Sequence, residues 1–297
     1  MVTLVMGARG SVGKQVLDQL IARGVPVRAS ARRPKPGQFP PGVDVHAADL
    51  TDPASLTPAF DGVEQAFLYA HHDGVHDVVR AARAAGLRRI VLLSSGSVIH
   101  PTSKGNPITE SHRTIESAFA EAPDLTVVPI RPLVLATNAL AWAYSLKESG
   151  VVAVYRPDAM TAPIHEHDIA AVAVAALSAE ASTRPHPERD GGGERRNGED
   201  HASALLTGPA RLSQRDQIAM IAAAAGRSID VVTLTRDEAI ARFERFMPAT
   251  EAAAVVRFVD DAAAGNSPAT YAVERILGRP PLPFELWAKE HAADFRS

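Results

Sequence analysis

The sequence predicts an α/β fold: a doubly wound parallel sheet followed by a smaller C-terminal α/β lobe. Three observations carry this. Short apolar runs alternate with stretches of helical periodicity through about residue 135. Several runs are apolar at successive positions, as strands covered on both faces require. The first run also leads straight into a turn holding Gly7, Gly10 and Gly13.

The elements follow in order. "VTLVM" (Val2 to Met6) is a strand. "SVGKQVLDQLIARG" places Val12, Val16, Leu17, Leu20 and Ile21 on one helical face, and Gly24 ends that helix. "VPVRASA", "VDVHAAD" and "EQAFLYA" are the second, third and fourth strands. "VHDVVRAARAAG" is a helix with Val75, Val78, Val79 and Ala82 inward. "RRIVLLSS" is a fifth strand, "HRTIESAFAEA" a helix and "LTVVPIRP" a sixth strand. Beyond them "HDIAAVAVAALSAE" is a helix, and Ser213 caps a further helix in "LTGPARLSQRDQIAMIAAAAGR". "SIDVVTLT" is a strand, and the tail from "RDEAIARFERFM" to "LPFELWAKEHAADFR" is helical. This order is Rossmann-type. Residues 1–135 are expected to form the nucleotide-binding core, and residues 136–297 to complete the sheet and supply a substrate lobe. The polar, Gly-rich stretch from Ser182 to Asp200 is expected to be a flexible surface insertion.

Composition narrows the function. The chain has 297 residues, 46% of them hydrophobic, which suffices for a sizeable core. A formal net charge of -3 and the lack of a long basic run argue against nucleic acid as a partner. No cysteine is present, which excludes thiolate catalysis and zinc-thiolate sites. No stretch approaches a membrane span, and the apolar start is too short for a signal peptide. The chain is therefore expected to be cytoplasmic, a monomer or homodimer, with a small molecule as partner.

GxxGxxG between a first strand and its helix is a dinucleotide motif. The first glycine permits the turn, the second lets a pyrophosphate approach the backbone, and the third lets helix and strand pack closely. The helix start offers free N–H groups to the anion. The second strand selects the cofactor. An NAD site needs an acid there for the ribose, yet no acid occurs between Asp18 and Asp44. Arg28, Arg32 and Arg33 stand instead, and Arg32 at the strand end suits a 2′-phosphate. NADP (NADPH) is the expected cofactor.

These segments, together with "RIVLLSS", "HRTIE", "TVVPIRPLVLATNAL" and "APIHEHDIAAVAVAAL", make the chain similar to the NmrA-like group of atypical short-chain dehydrogenases/reductases, relatives of quinone oxidoreductase and isoflavone reductase. The resemblance covers nearly the whole chain outside Ser182–Asp200. It implies that Arg9, Ser11 and Val12 line the pyrophosphate with the three glycines. Asp49 and Leu50 would meet the adenine, Ala70 and His71 the ribose, and Ser94, Pro132 and Leu133 the nicotinamide. Asn138 would lie on the substrate side.

One departure matters. The wider superfamily uses a YxxxK pair, in which Tyr gives the proton and Lys lowers its pKa. Counting back from "IRP", those places fall on Ile108 and His112. His112 and Ser94 are the candidate catalytic residues, with packing roles as the alternative for both. Tyr69 and Tyr144 are further hydroxyl candidates. His72 with His76, and His165, His167 and Asp168, have ligand-like spacing, but no metal is expected. Phe246, Met247, Trp142 and Trp287 are candidate walls of an apolar pocket, or core. Three functions fit: an NADPH-dependent oxidoreductase acting on a carbonyl, quinone or enone, plausible in specialised metabolism; a non-catalytic NADP sensor; or a redox-neutral cyclase or isomerase.

Overall fold

The computed structural model describes residues 2–178 and 204–296. The expected insertion at 182–200 lies outside the described residues. The central sheet contains β1 (Thr3–Val5), β2 (Val27–Ala31), β3 (Asp44–Ala47), β4 (Gln65–Leu68), β5 (Arg89–Leu93), β6 (Thr126–Pro132) and, later in the chain, β9 (Leu205–Leu206). Their spatial order is β3-β2-β1-β4-β5-β6-β9, and every neighbouring pair is parallel. The chain runs outward from β1 in one direction and then in the other. The crevice beside β1 and β4 is thus a topological switch point, where α/β sheets of this kind bind ligands.

Each face of the sheet carries its own core. Strand β1 divides its side chains between them: Val5 points to one, Leu4 and Met6 to the other, and all three are buried. Helix α1 (Ser11–Ala22) lies on the first face. Helices α2 (Pro53–Phe60), α3 (Val75–Ala84) and α4 (Pro107–Ala120) lie on the second. The inward residues expected for α3 (Val75, Val78, Val79 and Ala82) are all buried. Helix α2 has no clear periodicity in sequence. Asp52 makes its start by accepting from the Ala54 N–H, with Pro53 at the first helical position.

The second half of the chain enters both the sheet and the first core. Beyond α5 (Leu140–Ser149), β7 (Val152–Tyr155) and β8 (Met160–Thr161), helix α6 (Glu166–Ser178) packs on α1. It is apolar nearly all round and almost wholly buried, as a helix enclosed by other elements must be. Strand β10 (Leu212–Ser213) pairs with β8, and α7 (Gln214–Ala225) follows. Ser213 caps α7 as the sequence implied, in a full capping box with Asp216. Strand β11 (Val231–Leu234) pairs with β7. The helices α8 (Arg236–Glu244), α9 (Ala249–Ala263), α10 (Ala272–Leu277) and α11 (Phe284–Glu290) complete the chain. A third core joins α5, α7 and α11 around Trp287.

Two carboxylates at the start of α6 fasten the C-terminal segment. Buried Asp168 accepts from Arg279 Nη2 at 2.6 Å and from the Leu282 N–H at 2.6 Å. Glu166 pairs with His291 at 2.9 Å. Burial opposes the charge on Glu166, but bonds from His165 and His291 outweigh it and pull the carboxyl down to about 2. The same contact holds the His291 imidazole above its ordinary range. His165 therefore sits in a structural anchor.

Candidate functional site

The glycine turn is built as its spacing implied. Gly7 has φ +64°, the left-handed region that favours glycine, and the Tyr69 ring lies against it. The Gly10 N–H donates to Gly7 O at 2.8 Å. A Cβ on Gly13 would lie 2.3 Å from Gly7 O, so only glycine lets α1 pack there. Gly10 differs. A Cβ there would meet Gly7 O alone, at 3.3 Å, a tight contact but not the clash found at Gly13. Gly10 caps α1 with no side-chain hydrogen bond, which leaves the N–H groups of the first turn available to an anion. Arg9, Gly10 and Ser11 are exposed, whereas Val12 and Gly13 are buried beneath them. This cradle fits a dinucleotide pyrophosphate.

At the end of β2, Arg32 and Arg33 are exposed. Asp49 lies close enough to feel both charges. Its carboxyl is held below its ordinary range first by the Thr51 N–H and hydroxyl, and then by these arginines. Arg28 is committed elsewhere: it bonds Asp44 and the carbonyls of Pro58, Ala59 and Asp61 at the C-terminal end of α2. Leu50 is buried in the second core, while Ala70 and His71 follow β4 at the surface. His71 stacks on His72, and His71, His72 and Asp73 bring one ligand-type atom each within 4.8 Å, all three residues exposed.

Ser94 and His112 lie near one carboxylate. The Ser94 hydroxyl donates to Glu116 at 2.6 Å, and Arg131 bonds the same carboxylate through Nε at 2.9 Å and through Nη2. That network braces the ends of β5 and β6 against α4. His112 stands one helical turn before Glu116 and is partly buried. Its Nδ1 is buried without a hydrogen-bond partner among the described residues. Burial lowers its pKa against the opposing pull of Glu116, so the imidazole is neutral at pH 7.

A cavity of about 570 Å³ opens past the carboxyl ends of β5 and β6. Ser95, Ser97 and His100 line it after β5, and Leu133, Leu135 and Asn138 after β6. Trp142, Phe243, Met247 and Phe258 form an apolar wall. No lysine or arginine is among the described lining residues, and Asp261 is the one carboxylate. Of the four expected wall residues, Trp142 and Met247 are there. Phe246 is 61% exposed and meets Tyr144 edge-on at the surface. Trp287 is fully buried in the third core, stacked between Phe284 and His291. Pro132 ends β6, and neither it, Ser94 nor His112 belongs to the lining. Sequence reasoning missed His100, Thr102 and Asp261, whose association joins residues about 160 positions apart.

Comparison with known proteins agrees with this geometry. A family model described as NAD(P)H-binding matches residues 7–180. A (4-alkanoyl-5-oxo-2,5-dihydrofuran-3-yl)methyl phosphate reductase of Streptomyces griseus is 32% identical, over 98% of each chain. An NAD(P)H azoreductase of Xenophilus azovorans is 28% identical, again over 98% of each chain. Among solved structures, an Escherichia coli NADPH-dependent quinone oxidoreductase in complex with NADPH superposes with a TM-score of 0.73 at 21% identity, covering 98% of this chain and 99% of the other. Among the described residues no helix is long and apolar enough to cross a membrane. With its glycine cradle, parallel sheet and full-length similarity to a reductase, this chain belongs to the NAD(P)H-binding family.

Proposed function

We propose that the protein is an NADPH-dependent reductase of an uncharged small molecule bearing a carbonyl, quinone or enone group. The observation that carries this reading is the apolar cavity at the carboxyl ends of β5 and β6, on the far side of the switch point from the arginines of β2. A reduced nicotinamide, when bound, supplies a hydride. The chain's own residues do the rest. Gly10 and the first turn of α1 hold the pyrophosphate, with Gly7, Arg9, Ser11, Val12 and Gly13 shaping the cradle. Arg32 takes the 2′-phosphate, Asp49 and Leu50 border the adenine, and Ala70 and His71 border the ribose. His112, outside the cavity lining and with its Nδ1 unpartnered among the described residues, acts as a hydrogen-bonding group for the nicotinamide ribose. Ser94, through Glu116 and Arg131, sets the strand end on which Pro132 and the cavity mouth depend.

The cavity also argues about charge. The Streptomyces griseus relative reduces a phosphate ester, and a phosphate needs arginine, lysine or a helix start to replace its water. The apolar wall here, with Asp261 as its one carboxylate and no lysine or arginine among the described lining residues, favours a substrate without phosphate. The test is NADPH oxidation with quinones, enones and carbonyl compounds, including an alkanoyl-butenolide with and without its phosphate. Turnover of the unphosphorylated member is the expected result. Tight NADP binding without turnover of any member would overturn the reading, and a preference for the phosphate would overturn its charge assignment.

The cofactor assignment has its own test. Arg32→Glu replaces attraction to the 2′-phosphate by repulsion. It should raise the NADPH Kd about 30-fold while leaving NADH binding little changed, from the strength of a charge-assisted bond. Fluorescence titration of both cofactors reads the difference.

A further inference from the structure

By spacing, the place of the superfamily's proton-donating tyrosine falls on Ile108, and His112 lies outside the lining of the main cavity. Another group must supply the proton. We propose, resting on the reductase reading above, that His100 is the proton donor, held in position by Thr102 and Asp261.

Hydrogen counting carries the argument. His100 lines the main cavity and is itself 8% exposed. Its Nδ1 lies 3.1 Å from Thr102 Oγ1, and Thr102 Oγ1 lies 3.0 Å from Asp261 Oδ2. A carboxylate only accepts, and a threonine hydroxyl has one hydrogen. That hydrogen goes to Asp261, so the hydroxyl accepts from Nδ1–H. The chain of bonds therefore fixes the proton on Nδ1 and leaves Nε2 to give and receive. Arg257 bonds the carbonyls of Thr102 and Lys104, and Arg113 bonds the Val98 carbonyl, so both guanidiniums brace the loop that carries His100.

The step balances. The hydride forms a C–H bond at the electrophilic carbon, and the π pair of the conjugated carbonyl moves to oxygen. That oxygen takes the Nε2 proton, and His100 is left as the neutral Nδ1–H tautomer with its bond to Thr102 intact. Water then returns one proton to Nε2. A second cavity of about 300 Å³ shares His100, Thr102 and Asn266 with the first, and gives the imidazole a separate approach for that water.

The experiment compares wild type, His100→Gln and Thr102→Val on a substrate that the wild type reduces. A general acid must be protonated, so wild-type kcat falls as pH rises through the donor's titration. His100→Gln should lower kcat about 100-fold, the usual range for a positioned acid, and abolish that fall. NADPH affinity should be unchanged. Thr102→Val removes only the orienting bond, so it should lower kcat by a smaller factor than His100→Gln while KM and NADPH affinity hold. A His100→Gln enzyme that keeps the wild-type pH profile overturns the donor role while the reductase reading stands. So does one whose NADPH affinity and thermal midpoint fall together with kcat. A wild type inert toward every substrate overturns the reductase reading, and the donor role with it.

Discussion

A methyl group placed on Gly10 is expected to weaken NADPH binding about 100-fold, roughly 2.7 kcal/mol, while costing the empty protein little stability. The same methyl on Gly13 should destabilise the protein by about 2 kcal/mol even without cofactor. The two glycines are three residues apart in one turn, and the difference lies in what each Cβ meets. At Gly10 the nearest atom is 3.3 Å away and the backbone is extended, at φ −73° and ψ 162°, which any residue adopts. The methyl asks Gly7 O to give by only a few tenths of an ångström. It occupies the space in which a pyrophosphate reaches the free N–H groups of α1. At Gly13 the methyl lies 2.3 Å from Gly7 O and 2.9 Å from Gly7 C, both backbone atoms. Relief requires α1 to move off the turn, and Val12, Val16, Leu17 and Leu20 leave the first core with it. Thermal denaturation without nucleotide, paired with NADPH titration, separates the two outcomes. Equal loss of stability in both variants would show that the space at Gly10 serves the fold and not the cofactor.

What was legible in the sequence was local. The glycine turn declares itself because its three residues act within one turn. The sheet and its covering helices declare themselves because Leu4, Val5 and Met6 at the first strand, and Val75, Val78, Val79 and Ala82 in α3, follow the period of their element. What was hidden depends on distant partners. Arg28 and Arg32 look alike as strand-end arginines. Only the folded chain shows that the carbonyls of Pro58, Ala59 and Asp61 claim Arg28. Trp287 and Trp142 read equally as wall or core, and stacking on Phe284 and His291 puts the first in the core. His100 follows a strand in a segment without periodicity, and its partner Asp261 arrives from α9. A histidine soon after the serines that close β5, where ligands meet such sheets, was the one available signal.

Replacing Asp168 by Ala should cost about 3 kcal/mol of stability and lower the thermal midpoint by about 6–9 °C, whereas Asp18→Ala should leave the midpoint unmoved. Both carboxylates face a cation at the same 2.6 Å. Distance therefore does not separate them, and burial does. The Lys14–Asp18 side chains are 64% and 40% exposed, so water screens the pair and either partner is solvated when alone. The Asp168 side chain is 0% exposed and bonds two donors, Arg279 and the Leu282 N–H. Its loss strands that N–H in the interior and releases the segment leading into α11. Asp168→Asn keeps an acceptor for Leu282 but not the charge, and should recover part of the loss. The damage has a direction. Helix α11 carries Phe284 and Trp287 into the third core, against Ala136, Ala139 and Ala143, and Ala139 lines the substrate cavity. The glycine cradle lies on the other side of α6, against α1. Below its melting range, Asp168→Ala should therefore raise KM for substrate while the NADPH Kd holds. A parallel loss of both would mean that α6 transmits the release to α1.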